Sequence, residues 1–287
     1  GTLMNENIHK TLSRCGCLWL IAALVIVTGC TYEYFNVVLP EMMGKSLLTS
    51  ALTAVGLYFL INTYVYILLA SKTDPGYIKP KAAVDDEEMA LNASHMRGQG
   101  NTECVQCKVS RPARAHHCST CGKCVARMDH HCPWIDNCVG EGNQLFFYKF
   151  LFHTVIALMY FILSIVGSVY FAPGNAERDF SGFFSIGSIF GYLFYVASGV
   201  LILVGYLLGA QTYSILTAQT TIEQKSNETI QKISLNRGEL WRNPYDHGRK
   251  KNWELVFGPG SYPFRWLLPS DIFRHFTSKH LQNKQHQ

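Results

Sequence analysis

Charge is scarce in this chain. Of its 287 residues 16% are Asp, Glu, Lys or Arg, against roughly 25% in ordinary soluble domains. The shortage is concentrated. No charged side chain occurs from Cys15 to Tyr32, Ser46 to Ser71, Phe150 to Ala176 or Phe180 to Ile222, runs of 18, 26, 27 and 43 residues. Each run is long enough for the helix of roughly 20 residues that crosses a bilayer, and four of them argue against buried core helices of a soluble protein. A pore or transporter usually needs ionisable groups inside its spans; here His153 is the one titratable imidazole in the runs. A secretory signal peptide is excluded as well, because no small-x-small cleavage pattern leads into a polar mature domain after the first run. Thr31-Tyr32-Glu33-Tyr34-Phe35 continues into a short loop instead.

The last run is too long for one helix and contains the Gly-Ser-rich stretch Ser181 to Ser188. Spans are therefore expected at about 16–38, 48–70, from 146 onward and at about 188–214. Lys and Arg set their orientation. The N-terminal segment holds 2, the loop between the second and third spans 10 and the tail 11, whereas Lys45 and Arg178 stand alone in the other two loops. Twenty-three of 25 thus face one side, expected to be the cytosol, with both termini there. The net charge of +5 is explained by this topology and by attraction to anionic lipid or an anionic cofactor, without nucleic acid.

Seven of the ten cysteines crowd between Cys104 and Cys138, together with four histidines. On the cytosolic side such a cluster speaks for metal ligation over disulfides. Cys-x-x-Cys pairs stand at 104/107, 118/121 and 121/124, a spacing suited to tetrahedral structural zinc. Two closed sites take eight ligands. Eleven candidates are present, so three are left over, and spacing does not say which. The segment is too short for a useful apolar core, so metal must supply much of its folding free energy.

The sequence Asp129-His130-His131-Cys132, continued by Pro133-Trp134 and Asn137-Cys138-Val139-Gly140, resembles the cysteine-rich domain of the DHHC family of protein S-acyltransferases. Asp74-Pro75-Gly76, Thr220-Thr221-Ile222-Glu223, and Asn243-Pro244-Tyr245-Asp246 with Lys251-Asn252-Trp253 match further motifs of that family in order. The resemblance implies an α-helical polytopic membrane protein with four transmembrane helices and a small cytosolic two-zinc domain between the second and third. The expected layout is a cytosolic segment 1–15, two spans in 16–71, a connector 72–103, the zinc domain 104–145, two spans in 146–217, and a cytosolic tail 218–287. It implies one zinc on Cys104, Cys107, His117 and Cys124 and a second on Cys118, Cys121, His131 and Cys138. His116, His130 and Cys132 then remain.

The activity implied is transfer of a long-chain acyl group, typically palmitoyl, from acyl-CoA to cysteines of proteins, through an acyl-Cys132 intermediate that makes the enzyme itself a lipoprotein. A thiol must become a thiolate to attack. His130 is the natural base, and Asp129 can fix its tautomer, provided a turn brings these adjacent residues together. Burying the acyl chain, at roughly 0.8 kcal/mol per methylene, calls for an apolar cavity among the spans. Trp134 is placed at its mouth, with Phe147, Phe150, Thr154 and Ala157 below at helical spacing. Lys108, Arg111, Arg114, His116 and Arg127 form a basic set able to meet the phosphates of CoA. Asp74, Pro75, Gly76, Thr220, Thr221, Glu223, Asn243 and Tyr245 are expected to be structural, Thr221 by hydrogen-bonding near the aspartate. Cys15 and Cys17, at the membrane edge, are expected to be two interfacial apolar residues, with acylation of their thiols the alternative. Expected partners are palmitoyl-CoA, the bilayer, and cytosolic or membrane proteins with juxtamembrane cysteines, at the Golgi or endoplasmic reticulum. A zinc module that only binds a partner would explain the ligands and spans but leave Cys132 without a purpose.

Overall fold

The computed structural model describes residues 46–79, 102–171 and 189–259, together with Leu18, Thr28, Gly29, Thr31, Tyr32, Tyr34, Phe35 and Gly44. The expected first span lies almost wholly outside the described residues, as do Cys15, Cys17 and most of the connector. Among the described residues three helices are long and apolar enough to cross a membrane. They are α1 (Leu47–Lys72), α2 (Gln144–Phe171) and α3 (Ile189–Leu216). Their positions agree within two residues with the second, third and fourth expected spans.

The ends of α1 follow from its sequence. Ser46 caps the first turn and Thr49 returns the bond, a reciprocal arrangement that satisfies two otherwise orphaned donors. At the other end Thr73 is extended and ends the helix. Gly76 then adopts φ +105°, a conformation that only glycine reaches without strain. Asp74 Oδ1 accepts the Gly76 and Tyr77 N–H groups and so locks the turn.

Between α1 and α2 lie three antiparallel hairpins: β1 (Thr102–Cys104) with β2 (Val109–Arg111), β3 (His116–Cys118) with β4 (Lys123–Val125), and β5 (His130–Cys132) with β6 (Asn137–Val139). The segment after α1 is stitched to this unit by Ile78 N–H on Cys124 C=O and Ala126 N–H on Gly76 C=O. A side chain at Gly140 or Gly142 would run into the backbone carbonyls of Pro75 or Asp74. Two asparagines complete the joint. Asn137 donates to the carbonyls of Ala70, Ser71 and Thr73, and Asn143 to those of Ala70 and Cys138. The final carbonyls of α1, which helix geometry leaves without partners, are thereby met from the hairpin unit.

α2 packs on both α1 and α3. At the end of the α1–α2 contact that adjoins the hairpin unit sits an apolar cluster of Tyr66, Ile67, Ala70, Ile135, Val139, Phe146, Phe147 and Leu151, and it includes Cys132. After α3 come α4 (Thr221–Asn236), none of whose residues is buried, and α5 (Arg249–Phe257). Trp253 and Phe257 of α5 stack at 4.1 Å and meet Tyr148 of α2 edge-on.

Candidate active site

Strand alternation distributes the metal-ligating side chains. Successive residues of a strand point to opposite faces, so His117 and Cys118 on β3 diverge, and His117 stays with its cross-strand partner Cys124. The result is two clusters, Cys104, Cys107, His117 and Cys124, and Cys118, Cys121, His131 and Cys138, each with its ligand atoms within 4.8 Å of one another. In the second cluster His131 Nδ1 lies 3.4, 3.7 and 3.8 Å from the sulfurs of Cys121, Cys138 and Cys118. Ligands of one tetrahedral zinc stand about 3.6–3.8 Å apart, given its bond lengths. The donors present therefore fit a four-coordinate metal ion, and both clusters can hold one.

The same alternation on β5 turns His130 and Cys132 to the face opposite His131. Asp129 lies just before the strand, after the turn at Ala126 and Arg127, where Arg127 has φ +44°. Asp129 Oδ2 meets His130 Nδ1 at 2.7 Å. The Cys132 thiol lies near enough to the ring to act with Asp129 on its protonation. Cys132 is buried at 6% exposure. Burial alone would lower the His130 pKa, but Asp129 and Cys132 outweigh it and raise it to about 9.

Asp129 is held from a distance. Thr221 donates to Oδ1 through its N–H at 2.7 Å and its hydroxyl at 2.9 Å. Gln211 Nε2 donates to Oδ2 at 2.8 Å. Burial would push the carboxyl pKa up; the bonds from His130, Thr221 and Gln211 prevail and bring it below the usual value. Thr220 caps α4 through a reciprocal bond with Glu223, which fixes Thr221 in place.

A family model described as DHHC palmitoyltransferase matches residues 98–228. The probable protein S-acyltransferase 16 of Arabidopsis thaliana is 32% identical over 234 residues, covering 81% of this chain and 77% of that protein. The probable protein S-acyltransferase 14 of the same plant is 30% identical, covering 94% and 90%. The human palmitoyltransferase ZDHHC14 is 30% identical, covering 81% of this chain and 50% of that protein. The chain belongs to the DHHC protein S-acyltransferase family. The DHHC tetrad here is Asp129 to Cys132, and its first, second and fourth members form the cluster just described.

The other expected site residues are placed as follows. Phe147 is buried and meets His130 edge-on at 5.4 Å; Phe150 lies 6.3 Å from Phe147. Thr154 and Ala157 continue the same side of α2, half-buried, with the Thr154 hydroxyl donating to the Phe150 carbonyl. Trp134, expected at the cavity mouth, is 54% exposed on the short turn Pro133–Ile135 directly after Cys132. Of the basic set, Lys108 is exposed and Arg111, His116 and Arg127 are half-buried, with the Nε atoms of Arg111 and Arg127 lacking a partner. Arg114 has a different engagement. Its guanidinium makes two 2.7 Å bonds to Glu223, one of 2.9 Å to the Ala218 carbonyl, and lies 4.3 Å over the Tyr245 ring.

The tail motif closes the end of α3. Asn243 donates to the carbonyls of Thr217 and Ala218, and Asn252 to that of Leu216. Residues beyond the expected site also matter here: Gln211 and Asn143 carry no local signature, Asn137 lies in the family motif without an expected role, and their partners lie 64 to 82 residues away in the bonds that count.

Proposed function

We propose that this DHHC S-acyltransferase, an integral membrane protein, carries the acyl group on Cys132, with His130 as base and Asp129 as its anchor. One observation carries the proposal: β5 turns Cys132 and His130 to one face over an apolar cluster, while Asp129 occupies the other ring nitrogen. In the first step Cys132, as a thiolate whose proton is held on the His130 imidazolium, attacks the thioester carbonyl of palmitoyl-CoA. The carbon–sulfur bond to CoA breaks, and the CoA thiolate leaves with a proton from the imidazolium. In the second step a protein cysteine thiol, deprotonated in the same way, takes the acyl group and restores the Cys132 thiol. One thioester replaces another in each step, so no ATP or redox partner is needed.

The chemistry of the remaining groups follows. Three Cys and one His per cluster favour zinc, which when bound supplies a rigid frame for β5. Phe147, Phe150, Thr154 and Ala157 line the path of the acyl chain, with Trp134 at its outer edge. Lys108, Arg111, His116 and Arg127 meet the CoA phosphates, and Arg114 contributes by holding α4 in place. Asp74, Pro75, Gly76, Thr220, Glu223, Asn243 and Tyr245 join the membrane helices, hairpin unit and tail. The distribution of Lys and Arg supports a cytosolic hairpin unit and tail. Substrates are then proteins whose cysteines lie near the membrane surface, and a Golgi or endoplasmic-reticulum location belongs to the same proposal, as does the layout with a first span at 16–38.

The test is intact-mass spectrometry of the purified protein after incubation with palmitoyl-CoA, for wild type and Cys132→Ser. A hydroxylamine-labile gain of one acyl mass, absent in the variant, is the expected result. A wild type that keeps both metal ions and gains no mass overturns it.

A further inference from the structure

Gln211 lies in α3, inside the membrane-crossing stretch Gly191–Leu216. Its side chain is buried, and its Nε2–H reaches Asp129 Oδ2, the oxygen that also accepts from His130 Nδ1. The far end of the amide, Oε1, is buried and has no hydrogen-bond partner. An amide kept for packing alone would pair both ends, because a buried carbonyl without a donor is unfavourable. Here Asp129 alone sets its direction. The terminal torsion of an aspartate is soft, and Thr221 grips only Oδ1, so the carboxylate plane can still swing about that anchor. A second donor on Oδ2, from a different element, removes that freedom.

We propose that Gln211 is a positioning residue for acyl-enzyme formation: from within the membrane it fixes the Asp129 carboxylate plane, so that His130 presents its other ring nitrogen to Cys132. This rests on the roles given above to Asp129, His130 and Cys132. Gln211 brings no charge of its own, so it orients the carboxylate without competing with the imidazole for it. It also ties α3 directly to the catalytic pair, alongside the tie from α4.

The experiment follows acyl-enzyme formation by intact mass over time at several palmitoyl-CoA concentrations, in the full-length, metal-loaded protein. Wild type is compared with Gln211→Met, which keeps length and loses the donor, and Gln211→His, whose ring N–H can reach the same oxygen; Cys132→Ser is the control. Gln211→Met is expected to lower the maximal rate about 10- to 100-fold, the scale of a small misplacement of a catalytic group. Its half-saturating palmitoyl-CoA concentration, metal content and melting temperature should match wild type, and Gln211→His should recover most of the rate. A Met variant as fast as wild type overturns the proposal. So does a loss in both variants that is accompanied by lost metal or a lowered melting temperature, which would make Gln211 a packing residue. An acyl mass that persists in Cys132→Ser instead marks the failure of the Cys132 assignment itself.

Discussion

At position 129 a carboxylate is almost fully buried yet accepts four hydrogen bonds, from His130, Gln211 and twice from Thr221. A buried charge is tolerable only when it is satisfied in this way. Its negative charge holds His130, whose pKa, lowered by burial but raised more strongly by Asp129 and Cys132, stands at about 9. The sign of the linkage follows: the stabilisation is complete below the ordinary value of 6.5 and lost as pH rises through about 9. Asp129→Asn should therefore melt below wild type at pH 6.5, and the gap should shrink toward pH 9.5. Thermal melts across that range check it, and a gap independent of pH would mean that the pair is not charged. The tetrad could be read from the sequence because its members are adjacent. Gln211 could not, since a lone glutamine in an apolar helix has no pattern that points to an aspartate 82 residues away.

At the scale of the element, the N-terminus of α4 is fixed by its cap and by Arg114. Thr220 and Glu223 form a capping box, each side chain accepting from the other's backbone N–H. The chain alone did not show that Glu223 also holds Arg114, so the guanidinium expected to meet CoA is tied to the tail. Burial would raise the Glu223 pKa, but Arg114 and the Thr220 N–H more than compensate and lower it. Arg114→Met and Glu223→Gln should each weaken the protein, and their effects should not add. A double-mutant cycle by denaturant unfolding should return a coupling of about 1–3 kcal/mol, the range for contacting charged partners. Additive losses would show that the two side chains act separately. Each single variant should also slow acyl-enzyme formation, because Thr221 reaches Asp129 only when α4 is seated.

Across the whole molecule, two kinds of stability meet at Asn137 and Asn143. The helices are apolar and self-satisfied in lipid, whereas the strands of the hairpins are three residues long each and the hairpins have only small apolar clusters of their own, built largely around the cysteines. Removing the metal with a strong chelator should therefore abolish acyl-enzyme formation and open residues 102–142 to trypsin, while far-UV circular dichroism keeps most of its helical signal. Protection of that segment after complete metal removal would show that its packing against α1 suffices without metal. The tail depends on the membrane helices in turn, since Asn243 and Asn252 take the last carbonyls of α3 and Trp253 and Phe257 lean on Tyr148.

The membrane class, the positions of three spans and the Cys/His segment were determined by the sequence itself, and the Asp129–Cys132 tetrad by its resemblance to a known family. The first three rest on composition or close spacing, and uncharged runs or neighbouring ligands impose their chemistry wherever the chain folds. The tertiary structure alone decided which atoms meet. Spacing left eleven candidate ligands open, and strand alternation sorted them by sending His117 and Cys118, or His130 and His131, to opposite faces. Likewise the bonds from Gln211 to Asp129, and from Asn137 to the end of α1, join residues 64 to 82 apart. A hydrogen bond depends on distance in space, and over such separations only the packed helices set that distance.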